Sequence, residues 1–460
     1  ADHREGGPVA SPLHQSPLPR TIFRRRYRPR TNQEESMEAI ACIHPSAITG
    51  SLAAPPSKSA AHRALICAAL AGGGRVEGVL PSADMRATLG AVESLGAAVH
   101  QIGEEVSITR AALPIEGEAP VVDCLESGST LRLLLPVFAA KGIPATFIGR
   151  GRLPQRPLGV YADCLPAHGV ALRGAGGLPL TLEGRLRGGR YALPGDVSSQ
   201  FISGLLFALP LCREDSDIRL TTPLESAAYV RMTLETLARS GIRVEETRDG
   251  WHIPGGQSYR PVDTRVEGDW SQAAFLLAAG ALGGEVILTG LNRDSAQGDR
   301  AAWKLFRDFG AEVDWVEDTL RCRRAALRGI EIDASQIPDL VPVLAAVAAL
   351  AEGTTVIRNA ARLRLKESDR LAATAQCLAL LGGRVEERPD GLVIQGVPRL
   401  KGGRVPGWND HRIVMSMAVA ALGCKEAVEV TDPHSVEKSW PGFFEDFNRI
   451  GGNAHVVDHR

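Results

Sequence analysis

The strongest constraint on the fold of this chain is a sixfold internal repeat. In each repeat a helix-like run ends near a glycine, and a strand-like run follows that glycine. The six segments are "SLGAAV", "AHGVAL", "RSGIRV", "DFGAEV", "LLGGRV" and "RIGGNAHV". Their glycines are 73, 72, 69, 72 and 69 residues apart. Connections in which a glycine joins a helix to a strand are common in α/β proteins, but intervals that agree within four residues indicate true repetition.

Each repeat is longer than a solenoid unit and has room for two helices and several strands. Segments such as "ADMRATLGAVESLG" and "ESDRLAATAQCLALLG" carry apolar residues at three- and four-residue spacing before a glycine, which predicts amphipathic helices. Six such units after Met37 predict an α/β protein with two domains of three units each.

Composition excludes several classes of protein. The hydrophobic content is 44%, yet no apolar run reaches the roughly 18 residues that a membrane span needs. The formal net charge is −1, so a general nucleic-acid surface is not indicated. Residues 1–36 contain seven arginines and four acidic residues, so the rest of the chain is net negative. A basic cluster within that part would therefore be a local feature.

The eight cysteines are far apart and form no C-x-x-C pair and no cysteine–histidine spacing typical of a zinc site. We expect free thiols in a reducing compartment, and no bound metal.

Residues 1–36, with "IFRRRYRPR" and several prolines, predict a disordered leader. They lack the apolar core of a secretory signal. A vector-encoded leader, a start site assigned upstream of Met37 and a weak organelle-targeting segment are the alternatives, and the first two are favoured.

The segment "PPSKSAAHRALICAALAGGG" predicts a helix start that can bind an anion. Two prolines exclude an earlier helix, and Ser57 or Ser59 can cap the new one. The exposed N–H groups of a helix start favour an anion, and Lys58 and Arg63 add positive charge. A nucleotide P-loop is excluded because Ser57 stands where that motif requires glycine.

Similar groups occur in further loops, after a strand-like run and before a helix-like one. These are "ESGSTLRLLLP", "RGRLPQRPLG", "DVSSQF", "RLKESDR", "NDHR" and "SVEKSWPGFF". Any one of them alone could be a capped helix or a solvated charged face. Their recurrence at the same place in several repeats favours a single basic cleft that attracts small polyanions.

Ten motifs in order resemble the 5-enolpyruvylshikimate-3-phosphate synthase family. They are "SKSAAHR", "SGSTLR", "RPLG", "DVSSQF", "PLESAAYV", "VEGDWSQAAF", "IPDL", "LKESDRL", "NDHR" and "EKSWPGFF", and they span Pro55 to Phe444. The resemblance implies a two-domain inside-out α/β barrel with three βαβαββ repeats per domain. The first domain would be residues 55–267, on the shikimate 3-phosphate side. The second would be residues 37–54 plus 268–460, with the active site in the cleft between them.

The resemblance also implies the reaction. The enolpyruvyl group of phosphoenolpyruvate would be transferred to the 5-hydroxyl of shikimate 3-phosphate, with release of phosphate, in aromatic amino acid biosynthesis. No cofactor or metal is expected. The expected partners are these two small anions, with neither nucleic acid nor membrane, and the expected state is a cytoplasmic monomer.

Residue roles follow from the resemblance alone. Asp339 would be the base at the 5-hydroxyl, Glu367 would exchange a proton with the methylene carbon, and Lys58 would stabilise developing charge. The expected shikimate 3-phosphate ligands are Lys58, Ser59, Arg63, Ser198, Ser199, Gln200, Ser226, Tyr229, Asp339, Arg362 and Lys366. The expected phosphoenolpyruvate ligands are Lys58, Gly128, Arg156, Gln200, Arg370, Arg412 and Lys438.

This chain departs from the family's motifs at two places, and alternative assignments must be compared with this interpretation. Better-known members carry Asn-Ala-Gly-Thr where this chain has "ESGS" at 126–129, and Asn where it has Arg362. The related enolpyruvyl transferases acting on UDP-N-acetylglucosamine carry Lys-Asn in place of Lys58-Ser59 and usually a loop cysteine, which "GRGRLPQRP" lacks. A non-catalytic anion-binding protein of the same fold would be expected to lose Asp339, Glu367 or the arginines.

Overall fold

The computed structural model describes residues 39–111, 119–174 and 176–458. The predicted leader at residues 1–36 lies outside the described residues. Within the described part, no helix has both the length and the apolar content needed to cross a membrane. All eight cysteines are free thiols, as predicted, and six of them are buried.

Twenty-four strands are found in the described residues. They are β1 (Ile40–His44), β2 (Ile48–Ala53), β3 (Gly73–Glu77), β4 (Ala97–Ile102), β5 (Glu105–Arg110), β6 (Val121–Asp123), β7 (Ala145–Ile148), β8 (Val170–Arg173), β9 (Leu180–Gly184), β10 (Gly189–Leu193), β11 (Ser216–Leu220), β12 (Glu245–Thr247), β13 (Gly250–Ile253), β14 (Thr264–Arg265), β15 (Gly284–Thr289), β16 (Glu312–Val316), β17 (Thr319–Arg323), β18 (Glu331–Asp333), β19 (Thr354–Arg358), β20 (Arg384–Arg388), β21 (Gly391–Gln395), β22 (Gly403–Val405), β23 (Val428–Thr431) and β24 (Asn453–Val457).

These strands form six four-stranded sheets. Their spatial orders are β14-β3-β5-β4, β6-β7-β9-β8, β10-β11-β13-β12, β16-β17-β15-β2, β18-β19-β21-β20 and β22-β23-β1-β24. Each sheet contains one parallel pair and two antiparallel pairs. This is the pairing that a βαβαββ unit produces, so the predicted six repeats are confirmed.

Two α-helices belong to each repeat. They are α1 (Lys58–Ala71), α2 (Ala83–Glu93), α3 (Gly128–Lys141), α4 (Gly159–Cys164), α5 (Ser199–Ala208), α6 (Ala227–Arg239), α7 (Trp270–Gly283), α8 (Ala302–Phe309), α9 (Val341–Ala348), α10 (Arg370–Leu380), α11 (His411–Ala420) and α12 (Phe443–Arg449). We call α1, α3, α5, α7, α9 and α11 the central helices. Every residue of α9 and α11 is buried, whereas most strands have one exposed face. Helices inside and sheets outside give the inside-out α/β fold that was predicted.

The repeat glycines have a clear structural reason. All six lie at the turn between a helix and the next strand, with φ between 78° and 106°. That region is costly for a residue with a side chain. At Gly310 a Cβ atom would also lie 2.6 Å from the carbonyl oxygen of Ala326, and at Gly451 it would lie 2.5 Å from that of Ala47. The sequence repeat is therefore a repeat of one backbone turn.

The apolar residues form two separate cores. One core draws on residues 61–266, and the other on residues 41–54 together with 270–454. The two segments that connect the cores run side by side. Pro56 forms an antiparallel bridge with Gly268, and the amide of Ser57 donates to the carbonyl of Glu267 at 2.8 Å. Strands β1 and β2 accordingly complete sheets of the second core.

Candidate active site

The N-terminal ends of all six central helices line one cleft between the two cores. Lys58 and Ser59 come from α1, Gly128 from α3 and Ser199 from α5. Residues 271–272 of α7, 338–339 before α9 and 411–412 of α11 complete the set. Helix starts present unpaired N–H groups and the positive end of the helix dipole. Six of them around one space favour a ligand with several negative charges.

Side-chain charge reinforces this preference. Eight lysine or arginine side chains line the cleft, against four aspartates or glutamates. The whole chain carries a formal charge of −1, so the positive charge is concentrated here. Such a concentration attracts small polyanions and raises their rate of association.

Sixteen of the seventeen residues predicted for the site line this cleft. They are Lys58, Ser59, Arg63, Gly128, Arg156, Ser198, Ser199, Gln200, Ser226, Tyr229, Asp339, Arg362, Lys366, Glu367, Arg370 and Arg412. The remaining residue, Lys438, is not part of the lining, and its ammonium group donates to Glu126 at 2.8 Å.

Arg370 binds both carboxylates that were predicted to transfer protons. The residue is 1% exposed, and its guanidinium donates to Glu367 at 2.7 Å and to Asp339 at 3.0 Å. Its Nε donates to Asp410 at 2.8 Å, and Asp410 in turn caps α11. One guanidinium group thereby sets the positions of Asp339 and Glu367 relative to each other.

The surrounding cations keep both carboxylates ionised. Burial raises the pKa of Glu367, but the charges of Arg370 and Arg156 outweigh burial and hold that pKa well below its usual range. The pKa of Asp339 is also held well below its usual range, because Lys366 and two arginines outweigh the effect of burial. Burial lowers the pKa of Lys366 to about 8, against the opposing charge of Asp339.

Arg156 is a buried cation with little compensation. It is 8% exposed, and its ion pair with Glu367 is long, at 3.5 Å. Its Nε has no hydrogen-bond partner among the described residues, and both ring nitrogens of His411 lack one as well. A buried charge in this condition is costly unless a ligand compensates it. A Cβ atom at Gly128 would lie 2.8 Å from the Arg156 guanidinium, so only glycine leaves room for this side chain.

Arg63 organises the first core's side of the cleft. Its guanidinium donates to the carbonyls of Ser59 at 2.7 Å and Tyr229 at 2.8 Å, and to the hydroxyl of Thr233 at 2.9 Å. Burial lowers its pKa to about 10, so it stays charged. Three of its five N–H groups are used within the protein, which leaves two for a ligand.

The serines that were predicted to bind phosphate lie at two different backbone features. Ser198 caps α5 and accepts from the amide of Gln200. Ser226 precedes α6 with a left-handed φ of 52°, and Arg362 donates to its hydroxyl at 2.6 Å. Arg362 also forms an ion pair with Glu225 at 2.8 Å, so this departure from the family pattern supports the Ser226 turn.

Acidic residues near the cleft were missed from the sequence, among them Asp84, Glu126 and Asp299. Lys58 donates to Asp84 at 2.6 Å, and Tyr229 donates to Asp299 at 2.7 Å. Asp84 had a visible signal only as an acidic residue in the first turn of α2. Glu126 was visible in the sequence as a departure from the family pattern. Asp299 lies in a short 3-10 turn, and no sequence pattern indicated a role for it.

Comparisons with known proteins agree with this geometry. The family profile described as EPSP synthase (3-phosphoshikimate 1-carboxyvinyltransferase) matches residues 43–447. The 3-phosphoshikimate 1-carboxyvinyltransferase of Clostridium kluyveri is 45% identical over 413 residues, covering 89% of this chain and 97% of that protein. The chain belongs to the EPSP synthase family. The family predicted from the motifs is thus confirmed, and with it the class of enzyme, a carboxyvinyltransferase of aromatic amino acid biosynthesis.

Further relatives of this family give the same result. The 3-phosphoshikimate 1-carboxyvinyltransferase of Clostridium acetobutylicum is 43% identical and covers 90% of this chain and 97% of its own length. A solved EPSP synthase structure from Acinetobacter baumannii superposes with a TM-score of 0.77 at 26% identity, covering 91% of this chain and all of that one.

Proposed function

We propose that this chain transfers the enolpyruvyl group of phosphoenolpyruvate to the 5-hydroxyl of shikimate 3-phosphate and releases phosphate. The observation that carries the proposal is the arrangement of Asp339 and Glu367 on the single guanidinium of Arg370, inside a cleft with excess positive charge. Two carboxylates held side by side can serve two proton transfers on adjacent substrates.

Shikimate 3-phosphate is proposed to bind on the side of the first core. Its phosphate would lie at the start of α5, near Ser198, Ser199 and the Ser226 turn, where helix N–H groups and hydroxyls are available. Arg63 would use its two remaining N–H groups for the ring carboxylate. Ser59, Gln200, Tyr229, Arg362 and Lys366 are the further ligands that we propose.

Phosphoenolpyruvate is proposed to bind against Arg156, whose ion pair with Glu367 is long, at 3.5 Å. Its carboxylate would approach Arg412, which donates to the Asp339 carbonyl at 3.1 Å and to Ser271 at 3.0 Å. Gly128 would allow the close approach of the ligand to the backbone. Lys438 would reach the phosphate only after releasing Glu126.

The proton transfers then follow from charge. Asp339 is ionised and would accept the proton of the 5-hydroxyl. Glu367 must be protonated to donate to the methylene carbon, although Arg370 and Arg156 keep it ionised in the ligand-free cleft. Phosphoenolpyruvate would neutralise these two cations and so raise the pKa of Glu367. Lys58 and Lys366 would stabilise the charge that develops in the tetrahedral intermediate.

The domain boundaries, the monomeric state and a cytoplasmic location are part of the proposal. The two separate cores and the paired connecting segments support a hinge near residues 54–57 and 267–269. Shikimate 3-phosphate would close the cleft, since it would offset repulsion between cations from both cores. The reaction itself requires no cofactor.

A phosphate-release assay tests the proposal. The full chain should release phosphate only when both substrates are present, and the Asp339→Asn and Glu367→Gln variants should be slower by about a hundredfold. UDP-N-acetylglucosamine replaces shikimate 3-phosphate in a parallel arm. Phosphate release with that acceptor alone would instead favour the related sugar-nucleotide transferases, and release with neither acceptor would contradict both functions.

A further inference from the structure

A cluster of metal-binding side chains lies outside the cleft, on the outer face of the sheet β22-β23-β1-β24. Cys42 and His44 are two residues apart on β1, so both point to the same face. His455 on β24 lies directly opposite Cys42 in the strand register. All three are half-buried or exposed, while Ala41 and Ile43 between them face the core.

The ligand atoms of these three residues are already close together. They all lie within 4.8 Å of one another. The Cys42 sulfur is 3.6 Å from Nε2 of His44, and the rings of His44 and His455 are stacked with centroids 5.6 Å apart.

These separations suit a tetrahedral zinc ion. Zinc bonds of about 2.3 Å to sulfur and about 2.05 Å to nitrogen, at a tetrahedral angle, place the two ligand atoms about 3.6 Å apart. The Cys42 and His44 atoms have this separation. Imidazole and thiolate ligands also favour zinc, whereas magnesium and calcium favour oxygen ligands.

A fourth ligand is available on the neighbouring strand. Glu429 of β23 lies opposite Cys42 on the side away from His455, so Glu429, Cys42 and His455 form one row across three strands.

We propose that Cys42, His44 and His455, with Glu429 as the fourth ligand, bind one zinc ion. The ion would join the first strand of the described chain to the last one, and it would have a structural role. None of these residues lines the cleft, so the ion would take no part in enolpyruvyl transfer. The sequence spacing gave no sign of this site because strand register, and not local spacing, brings His455 to Cys42.

Cobalt and zinc binding to the full chain, freed of metal by a chelator, test the proposal. The chain should bind one Co²⁺ with a near-ultraviolet sulfur-to-cobalt band, and Zn²⁺ should displace it. Cys42→Ser should lose the band, and His44→Gln and His455→Gln should weaken zinc binding by about tenfold or more. Zinc should raise the melting temperature of the full chain, because it binds only the folded state.

Matched controls make the result specific. Cys164→Ser alters another half-buried cysteine, and His100→Gln alters an exposed strand histidine. Both should bind metal like the unmodified chain, and phosphate release should stay within about twofold in every variant as a check of folding. The proposal is overturned if the unmodified chain shows no sulfur-to-cobalt band. It is equally overturned if Cys42→Ser keeps the band, or if the two histidine variants bind zinc as tightly as the controls.

Discussion

Lys438 and Glu126 form an ion pair of 2.8 Å that connects the second core to the first. Asn409 strengthens the contact, because its carbonyl accepts from Lys438 and its side-chain amide donates to Glu126 at 3.2 Å. The lysine proposed for the phosphate of phosphoenolpyruvate is therefore occupied by a carboxylate of the protein. The ligand and Glu126 must compete for it.

Replacing Glu126 should consequently improve substrate binding. Glu126→Gln keeps the shape and removes the competing charge, so the KM for phosphoenolpyruvate should fall by about threefold, or about 0.7 kcal/mol, with little change in kcat. Glu183→Gln, which breaks an exposed ion pair with Arg173, is the control and should change neither parameter. A KM that stays constant or rises in Glu126→Gln would show that Lys438 does not meet the ligand.

Gly128 should limit the size of its neighbour. A methyl group there would lie 2.8 to 2.9 Å from three guanidinium atoms of Arg156, so Gly128→Ala should displace that side chain. We expect the KM for phosphoenolpyruvate to rise by about tenfold, while the melting temperature changes little. Gly90→Ala is the matched control, since a Cβ at this helical glycine would have no neighbour within 4 Å. Equal kinetics for the two variants would contradict the proposed place of Arg156.

Much of the fold could be predicted because the sequence repeats a backbone requirement. Glycines such as Gly169 and Gly382 are needed for a left-handed turn. Their recurrence at nearly equal intervals was enough to predict the number of repeats. Helix starts were also visible. The choice between Ser57 and Ser59 was left open, and the structure places Ser57 at the cap of α1, where it accepts from the amide of Ala60.

The ion pairs of the site could not be predicted in the same way. Lys58 with Asp84, and Arg370 with Asp339, join residues on different elements whose separation is set only by the packed fold. A motif gives the residue types at a helix start but not the partner that each charge meets on another element. The same limit hid the metal cluster, because His455 reaches Cys42 through strand pairing.

Asp299 should make the stability of the protein depend on pH. Burial and then the charge of Asp339 raise its pKa from 3.8 to about 7. Between these values the unfolded chain has lost this proton while the folded chain keeps it, so this group lowers stability as the pH rises from about 4 to 7. Above about pH 7 the destabilisation caused by Asp299 no longer changes with pH.

The Asp299→Asn variant tests this sign. Asparagine still accepts from the Tyr229 hydroxyl but cannot ionise, so the variant should gain melting temperature relative to the unmodified chain at pH 8 more than at pH 5. Asp294→Asn, at an exposed position of the same loop, should show no such difference. A gain that is equal at both pH values would assign the effect to packing instead of to ionisation.

The two carboxylates on Arg370 should be separable by isotope exchange. Asp339→Asn and Glu367→Gln keep their shapes, so each variant should fold and bind shikimate 3-phosphate within roughly tenfold of the unmodified chain, about 1.4 kcal/mol. Turnover should fall by about a hundredfold in each, the usual scale for loss of a general acid or base. Overall rates therefore do not distinguish the two residues.

Deuterium exchange from solvent into the methylene group of phosphoenolpyruvate, with both substrates present, distinguishes them. Glu367→Gln should suppress exchange more strongly than product formation, because its proposed proton goes to that carbon. Asp339→Asn should reduce both together, since its proposed proton comes from the 5-hydroxyl and exchange requires the addition step. If Glu367→Gln exchanges deuterium at the rate of the unmodified chain while turnover collapses, Glu367 is not the acid that protonates the methylene carbon. Lys58, whose ammonium group lies in the same cleft and is held by Asp84, then becomes the better candidate.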